Sequence, residues 1–143
     1  MGERCVLLSI QPTFANKIFN GTKKVELRRS FPHSYEDKIV ILYVSTPVKE
    51  IVGGFHISHI VKENLANLWE KVKNKAGITE EEFNNYYDGV DIGYGIFINK
   101  VWKYEEPHTL DFLRDSISNF SPPQNFRYLN LSHINDLNLF NFR

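Results

Sequence analysis

A chain of 143 residues with 42% hydrophobic and 14% aromatic content has the make-up of one folded domain, not of a disordered or low-complexity segment. Seventeen basic residues balance seventeen acidic ones, so a zero net charge argues against indiscriminate polyanion binding and confines any nucleic-acid contact to a local patch. A single cysteine excludes an intrachain disulfide, and no apolar run reaches the ~18 residues of a membrane span; with nothing resembling a secretory leader, a cytoplasmic, membrane-free location is expected.

In chain order, CVLLSI reads as a short buried strand, in which Cys5 is expected to be a small core hydrophobe. Pro12 suits the first turn of a helix, with Phe14, Ile18 and Phe19 on one face and Asn20-Gly21 as its stop. GTKKVELRR follows as a second strand, Val25 and Leu27 facing one side and Lys24, Glu26 and Arg28 the other. Phe31-Pro32 opens a loop, and the apolar run over 38–45 predicts a central strand that ends at Thr46-Pro47. The next strand, over 50–61, carries Gly53-Gly54, the mark of a bulge or of close backbone approach.

Leu65, Leu68, Trp69 and Val72 share one face of a helix predicted over 63–77 and ended by Gly77. Thr79 and Glu82 have the spacing of a capping box for a second helix. GYGIFINKVWKY (93–104) predicts a strand with Ile96, Ile98 and Val101 inward, broken by Glu105-Glu106-Pro107, and TLDFLRD a short helix. The Pro122-Pro123 segment is an extended loop, Tyr128 to Leu131 a last strand, and 132–140 a closing helix. Five or six strands with helices at their ends indicate an α+β fold built on a small mixed β-barrel with peripheral helices.

Metal and nucleophile signatures are missing. His56 and His59 are three apart on a predicted strand and face opposite ways; there is no Cys-x-x-Cys, no His-Glu-x-x-His and no Gly-x-Ser-x-Gly. No cofactor or metal is expected. The remaining signal is charge: Lys17, Lys23, Lys24, Arg28 and Arg29 against Glu26 give residues 17–29 a net charge of five minus one, or plus four. Residues 104–115 carry four acidic residues against Arg114, or minus three. A carboxylate within a basic strand either orders an arginine or accepts from a base amine.

Gly21, Lys23, Glu26 and Arg28 form a G-x-K-x-x-E-x-R string that closely resembles the signature of the ASCH domain family, within the PUA-like superfamily of small barrels. The likeness extends over about residues 4–130. SIQPTFANKIFNGTKKVELRR, Ser45-Thr46-Pro47, VGGF, LWEKVKNKAGITEEEFNNYYDG, GYGIFI and PPQNF follow in order, as in a branch found alone or beside acetyltransferase domains. The resemblance implies one domain over 1–143, with 131–143 a helical tail, and a cleft bordered by the first helix and the signature strand. It implies a partner that is RNA, a nucleotide or a modified nucleoside, in a regulatory or RNA-metabolic setting.

Ligand contacts are expected from Lys23, Lys24, Glu26, Arg28, Ser45, Tyr94, Gln124 and Phe126, the two aromatics serving as stacking platforms. An enzyme of this family would be a hydrolase, either an N4-acylcytidine amidohydrolase or a ribonuclease, with Lys23 and Glu26 as the reactive pair. Lys23 matches the lysine of the amidohydrolase branch; Glu26 stands in place of its threonine, and its helical glutamate falls near Asn74. The oligomeric state is open.

Overall fold

The computed structural model describes residues 4–32 and 38–140; His33 and the rest of the loop after Pro32 lie outside them. Among the described residues, six strands form one sheet accompanied by five helices, so the α+β class stands. The chain runs β1 (Arg4–Ile10), α1 (Pro12–Phe19), β2 (Val25–Arg28), β3 (Ile39–Val44), β4 (Glu50–Asn64) and α2 (Leu65–Val72). It continues through α3 (Glu80–Tyr86), β5 (Ile92–Thr109), α4 (Leu110–Ser116), β6 (Phe126–Asn130) and α5 (Leu131–Asp136).

The sheet order is β2-β5-β4-β3-β1-β6, with β1 and β3 parallel and every other pair antiparallel. The expected barrel is therefore not closed: β2 and β6 are its two edges. Side chains draw those edges together instead, because Arg28 at the end of β2 donates to the Ser9 carbonyl of β1 at 2.8 Å and to Asn125, just before β6, at 3.1 Å. The opening that remains between β2 and the loop before β6 becomes the site described below.

β1 and β3 are buried on both faces, which explains their unbroken apolar sequences. Cys5, Leu7, Ile41 and Ile51 pack with Leu113, Leu129 and α5 residues on one side. Val6, Leu8, Val40 and Leu42 pack with α1 and Phe55 on the other. A third apolar group gathers Val25 and Leu27 against Leu68, Val72, Phe83 and Tyr87.

Gly53 and Gly54 meet their expectation in full. The register of β4 against β5 shifts between Ile51 and Gly53, and a Cβ on Gly53 would stand 2.1 Å from the Trp102 carbonyl oxygen. One on Gly54 would stand 2.2 Å from that of Val40. Further shifts at Phe55/Ile57 and Ile57/His59 reset the alternation, which turns Val101 out (39% exposed) and Trp102 and Tyr104 in, contrary to the inward placement expected of Val101. His56 meets the Trp102 ring edge-on and His59 stacks on Phe97.

Two elements differ in length from their sequence patterns. β5 continues through Pro107 to Thr109, because β2 pairs only with Tyr94–Phe97 and leaves that edge of β5 free near the proline. α2 stops at Val72 and not at Gly77, because the carbonyls of the following turn are taken by the signature segment. The Lys75 carbonyl accepts from the backbone N–H groups of Lys24 and Val25, and the Gly77 carbonyl from Lys17 Nζ. The Thr79–Glu82 capping box of α3 forms as its spacing predicts, and Thr109 caps α4.

Since the obstructing atoms at Gly53 and Gly54 are backbone, Gly53→Ala and Gly54→Ala should each destabilise the fold by about 1–3 kcal/mol or more. Urea unfolding would show a lowered midpoint at unchanged slope; a midpoint within error of the parent would refute the packing argument.

Candidate functional site

Between β2 and the loop that leads into β6 lies an open cleft of about 670 Å³, within the range of small-ligand sites. Its floor is the signature strand. Lys23 (3% exposed) and Glu26 (5%) are the only buried charged residues among those described, so the strand is not a solvated face. Lys23 Nζ donates to the Ala76 carbonyl at 2.6 Å, stands 3.5 Å from Glu26 Oε1 and lies 5.2 Å above the centre of the Phe14 ring. Glu26 Oε2 accepts from Arg28 Nε at 2.9 Å and Nη2 at 2.6 Å.

Burial lowers the pKa of Lys23 below its usual 10.5, against the attraction of Glu26 and with help from the Arg28 and Lys17 charges. Arg28 itself is nearly used up. Four of its five N–H groups go to Glu26 (two), Ser9 and Asn125, so it closes the structure more than it presents charge.

The other walls come from elements far apart in the chain. β3 and the turn after it supply Tyr43, Ser45, Thr46 and Lys49; α4 supplies Leu110 and Arg114; α3 supplies Glu82 and Tyr86; the loop before β6 supplies Pro122, Pro123 and Gln124. Lys49 and Arg114 are exposed and make no ion pair among the described residues. Tyr43 is buried, and burial raises its phenol pKa against the Arg114 charge. Tyr86, at 39% exposure, is the least covered aromatic lining the cleft. Glu82 caps its own helix, and that hydrogen bond from Thr79, more than the Lys17 and Lys23 charges, holds its pKa below the usual carboxylate value.

Of the expected contacts, Lys23, Glu26, Arg28, Ser45 and Gln124 line the cleft together. Lys24, Tyr94 and Phe126 do not. Lys24 precedes the strand and is exposed outside the cleft. Tyr94, half-buried, packs against the core beneath Lys62, and Phe126, also half-buried, packs between Phe31 and Tyr128. The carboxylate that the helical segment brings to the cleft is Glu82, not a group near Asn74. Tyr43, Lys49, Tyr86 and Arg114 carry no local motif. A capping box marks Glu82 for a structural reason only, and the others are brought in by topology.

An open mixed sheet whose β2 edge borders a cleft floored by a buried Lys–Glu pair held by Arg28 defines a PUA-like α+β domain. Residues 8–98 match the ASCH domain, and the chain belongs to the ASCH domain family. It is 29% identical over 123 residues to an ASCH domain-containing ribonuclease of Zymomonas mobilis, covering 86% of this chain and 82% of that one. A crystal structure of a serine-to-alanine variant of ASCH from Zymomonas mobilis superposes with a TM-score of 0.87 at 27% identity, covering 96% of each chain. The unaltered Zymomonas protein also gives 0.87, over 94% of each. The chain also resembles part of large ribosomal subunit protein uL22 of Ureaplasma parvum, at 24% identity over 87% of this chain and only 39% of that protein.

The buried ammonium makes a pH prediction. Lys23 has a lower pKa folded than unfolded, so between the two values the unfolded chain binds more protons and stability grows as pH rises. The difference in unfolding free energy between the parent and Lys23→Met should therefore move in the parent's favour as pH rises through the alkaline range toward about 10. A difference independent of pH, measured by urea titration, would show that Lys23 is not desolvated.

Proposed function

We propose that this chain binds single-stranded RNA, with one nucleotide seated in the cleft. The observation that carries this reading is the pairing of two uncompensated cations, Lys49 and Arg114, with an enclosed floor of hydrogen-bonding groups. Phosphate is attracted to the free cations at the rim. It is disfavoured at the floor, where Glu26 is negative and Arg28 is already neutralised. The floor offers Lys23 as donor and Glu26 Oε1 as acceptor, which suits the edge of a base, and Ser45 and Gln124 add polar contacts. Tyr86 offers an exposed ring for stacking in place of the two aromatics expected earlier.

A second reading is RNA cleavage. It is favoured by the similarity to a protein named a ribonuclease and by the presence in the same cleft of Lys23 and Tyr43, whose proton affinities are both displaced by burial. Lys23 with Glu26 would then act on the reacting groups, with Lys49 and Arg114 holding the phosphate. Hydrolysis of an acylated nucleoside uses the same floor without needing the phosphate-holding cations, so the rim distinguishes the two reactions.

Binding of a short mixed-sequence oligoribonucleotide should weaken in Lys49→Ala and in Arg114→Ala, and each should flatten the salt dependence by about 0.7 in the log–log slope. Unchanged affinity and slope in both would rule out the rim as the phosphate site. Incubating the labelled oligonucleotide, and separately N4-acetylcytidine, with the parent and Tyr43→Phe decides whether binding leads to turnover. Intact substrates despite saturable binding would leave a pure binding domain.

A further inference from the structure

Asn125 lies outside the cleft lining, yet three segments meet at it. Its Oδ1 accepts from Arg28 Nη1 at 3.1 Å, and its Nδ2 donates to the Ser30 carbonyl at 3.3 Å and to Ser30 Oγ at 3.1 Å. Its own carbonyl accepts from the Ser9 N–H at 3.2 Å, and Ser9 Oγ donates to the Pro123 carbonyl at 2.6 Å. The amide orientation is dictated chemically. Reversed, the NH₂ would oppose a guanidinium N–H and the oxygen would oppose the Ser30 carbonyl. An aspartate would satisfy Arg28 and could accept from the Ser30 hydroxyl but would oppose the Ser30 carbonyl, so the position calls for an amide.

We propose that Asn125 is a positioning residue for the cleft: it locks Arg28 across the two sheet edges so that Arg28 holds Glu26 Oε2 and leaves Oε1 to Lys23. Arg28 thereby acts on a ligand through Glu26, not by gripping phosphate. Beside the Asn125 side chain, the Ser9 hydroxyl holds the Pro123 carbonyl and the Ser9 N–H holds the Asn125 carbonyl, so the loop whose Pro122, Pro123 and Gln124 line the opposite wall is anchored next to the side chain that holds the floor. Its bearing on ligand binding rests on the reading of the cleft as an RNA site; its effect on Lys23 does not.

The test is Asn125→Ala, which changes no charge, followed by the ¹³C or ¹⁵N NMR titration of Lys23. With Asn125 gone, the Ser9 carbonyl alone holds Arg28 across the edges, the Arg28 grip on Glu26 Oε2 loosens and Glu26 turns more to Lys23, whose pKa should rise by about half a pH unit or more. Arg28→Lys, which also keeps the charge but cannot fork between three partners, should move it the same way and serves if Asn125→Ala fails to fold. Affinity for the oligoribonucleotide should fall on the order of tenfold in both variants, with the salt slope of the parent retained. A Lys23 titration unmoved in the folded variants overturns the proposal, as does a salt slope reduced in Asn125→Ala. If the parent binds no RNA, the proposed function fails alone, and the Lys23 titration still decides the lock.

Discussion

Glu26 is the constraint on which the rest of the structure depends. A carboxylate at 5% exposure is tolerated only if both oxygens are matched, and here Arg28 holds one and Lys23 approaches the other. Each partner then imposes a demand. Lys23 is itself buried and needs the Ala76 carbonyl, which requires the chain after α2 to leave helical geometry and turn its carbonyls toward the signature strand. Arg28 needs further acceptors and finds them on β1 and the loop before β6, which brings the open sheet's edges together. The cleft is the space left over when these demands are met.

That arrangement separates roles that a charge count merges. The basic segment over 17–29 looks like a phosphate grip, but Lys17, Lys23 and Arg28 are engaged inside the protein and Lys24 is outside the cleft. Among the described residues that line the cleft, the cations outside any ion pair are Lys49 and Arg114, the latter inside a stretch whose sum is acidic. Local net charge counts ionisable groups without counting what has already neutralised them. Membership of the ASCH family and the close superposition on a Zymomonas protein agree with the fold. The chemistry at the site is read from this chain's own contacts.

Strands β1 and β3, the helix begun by Pro12, the capping box of α3 and the Gly53-Gly54 close approach were legible because each is a local rule of period, cap or steric volume. So was the signature strand, through its spacing. What escaped sequence reading was non-local. Three register shifts between β4 and β5 exchange Val101 for Trp102 in the core, and carbonyl recruitment by β2 shortens α2. Tyr94 and Phe126 read as stacking platforms because they stand beside glycine and proline. Their half-buried rings instead pack against the core away from the cleft, while Tyr86, without such a neighbour, is exposed at the cleft.

By itself, then, the amino-acid sequence determined the α+β class, most of the elements and the identity of the charged strand, since these follow from contacts a few residues apart. Only the tertiary structure decided that the sheet stays open, that Lys23 and not Lys24 joins Glu26 and Arg28, and which cations remain free. The physical reason is sequence separation. The acceptor for Lys23 lies 53 residues away and that for Arg28 lies 97, and whether a charge is spent or available depends on partners that folding alone brings into reach.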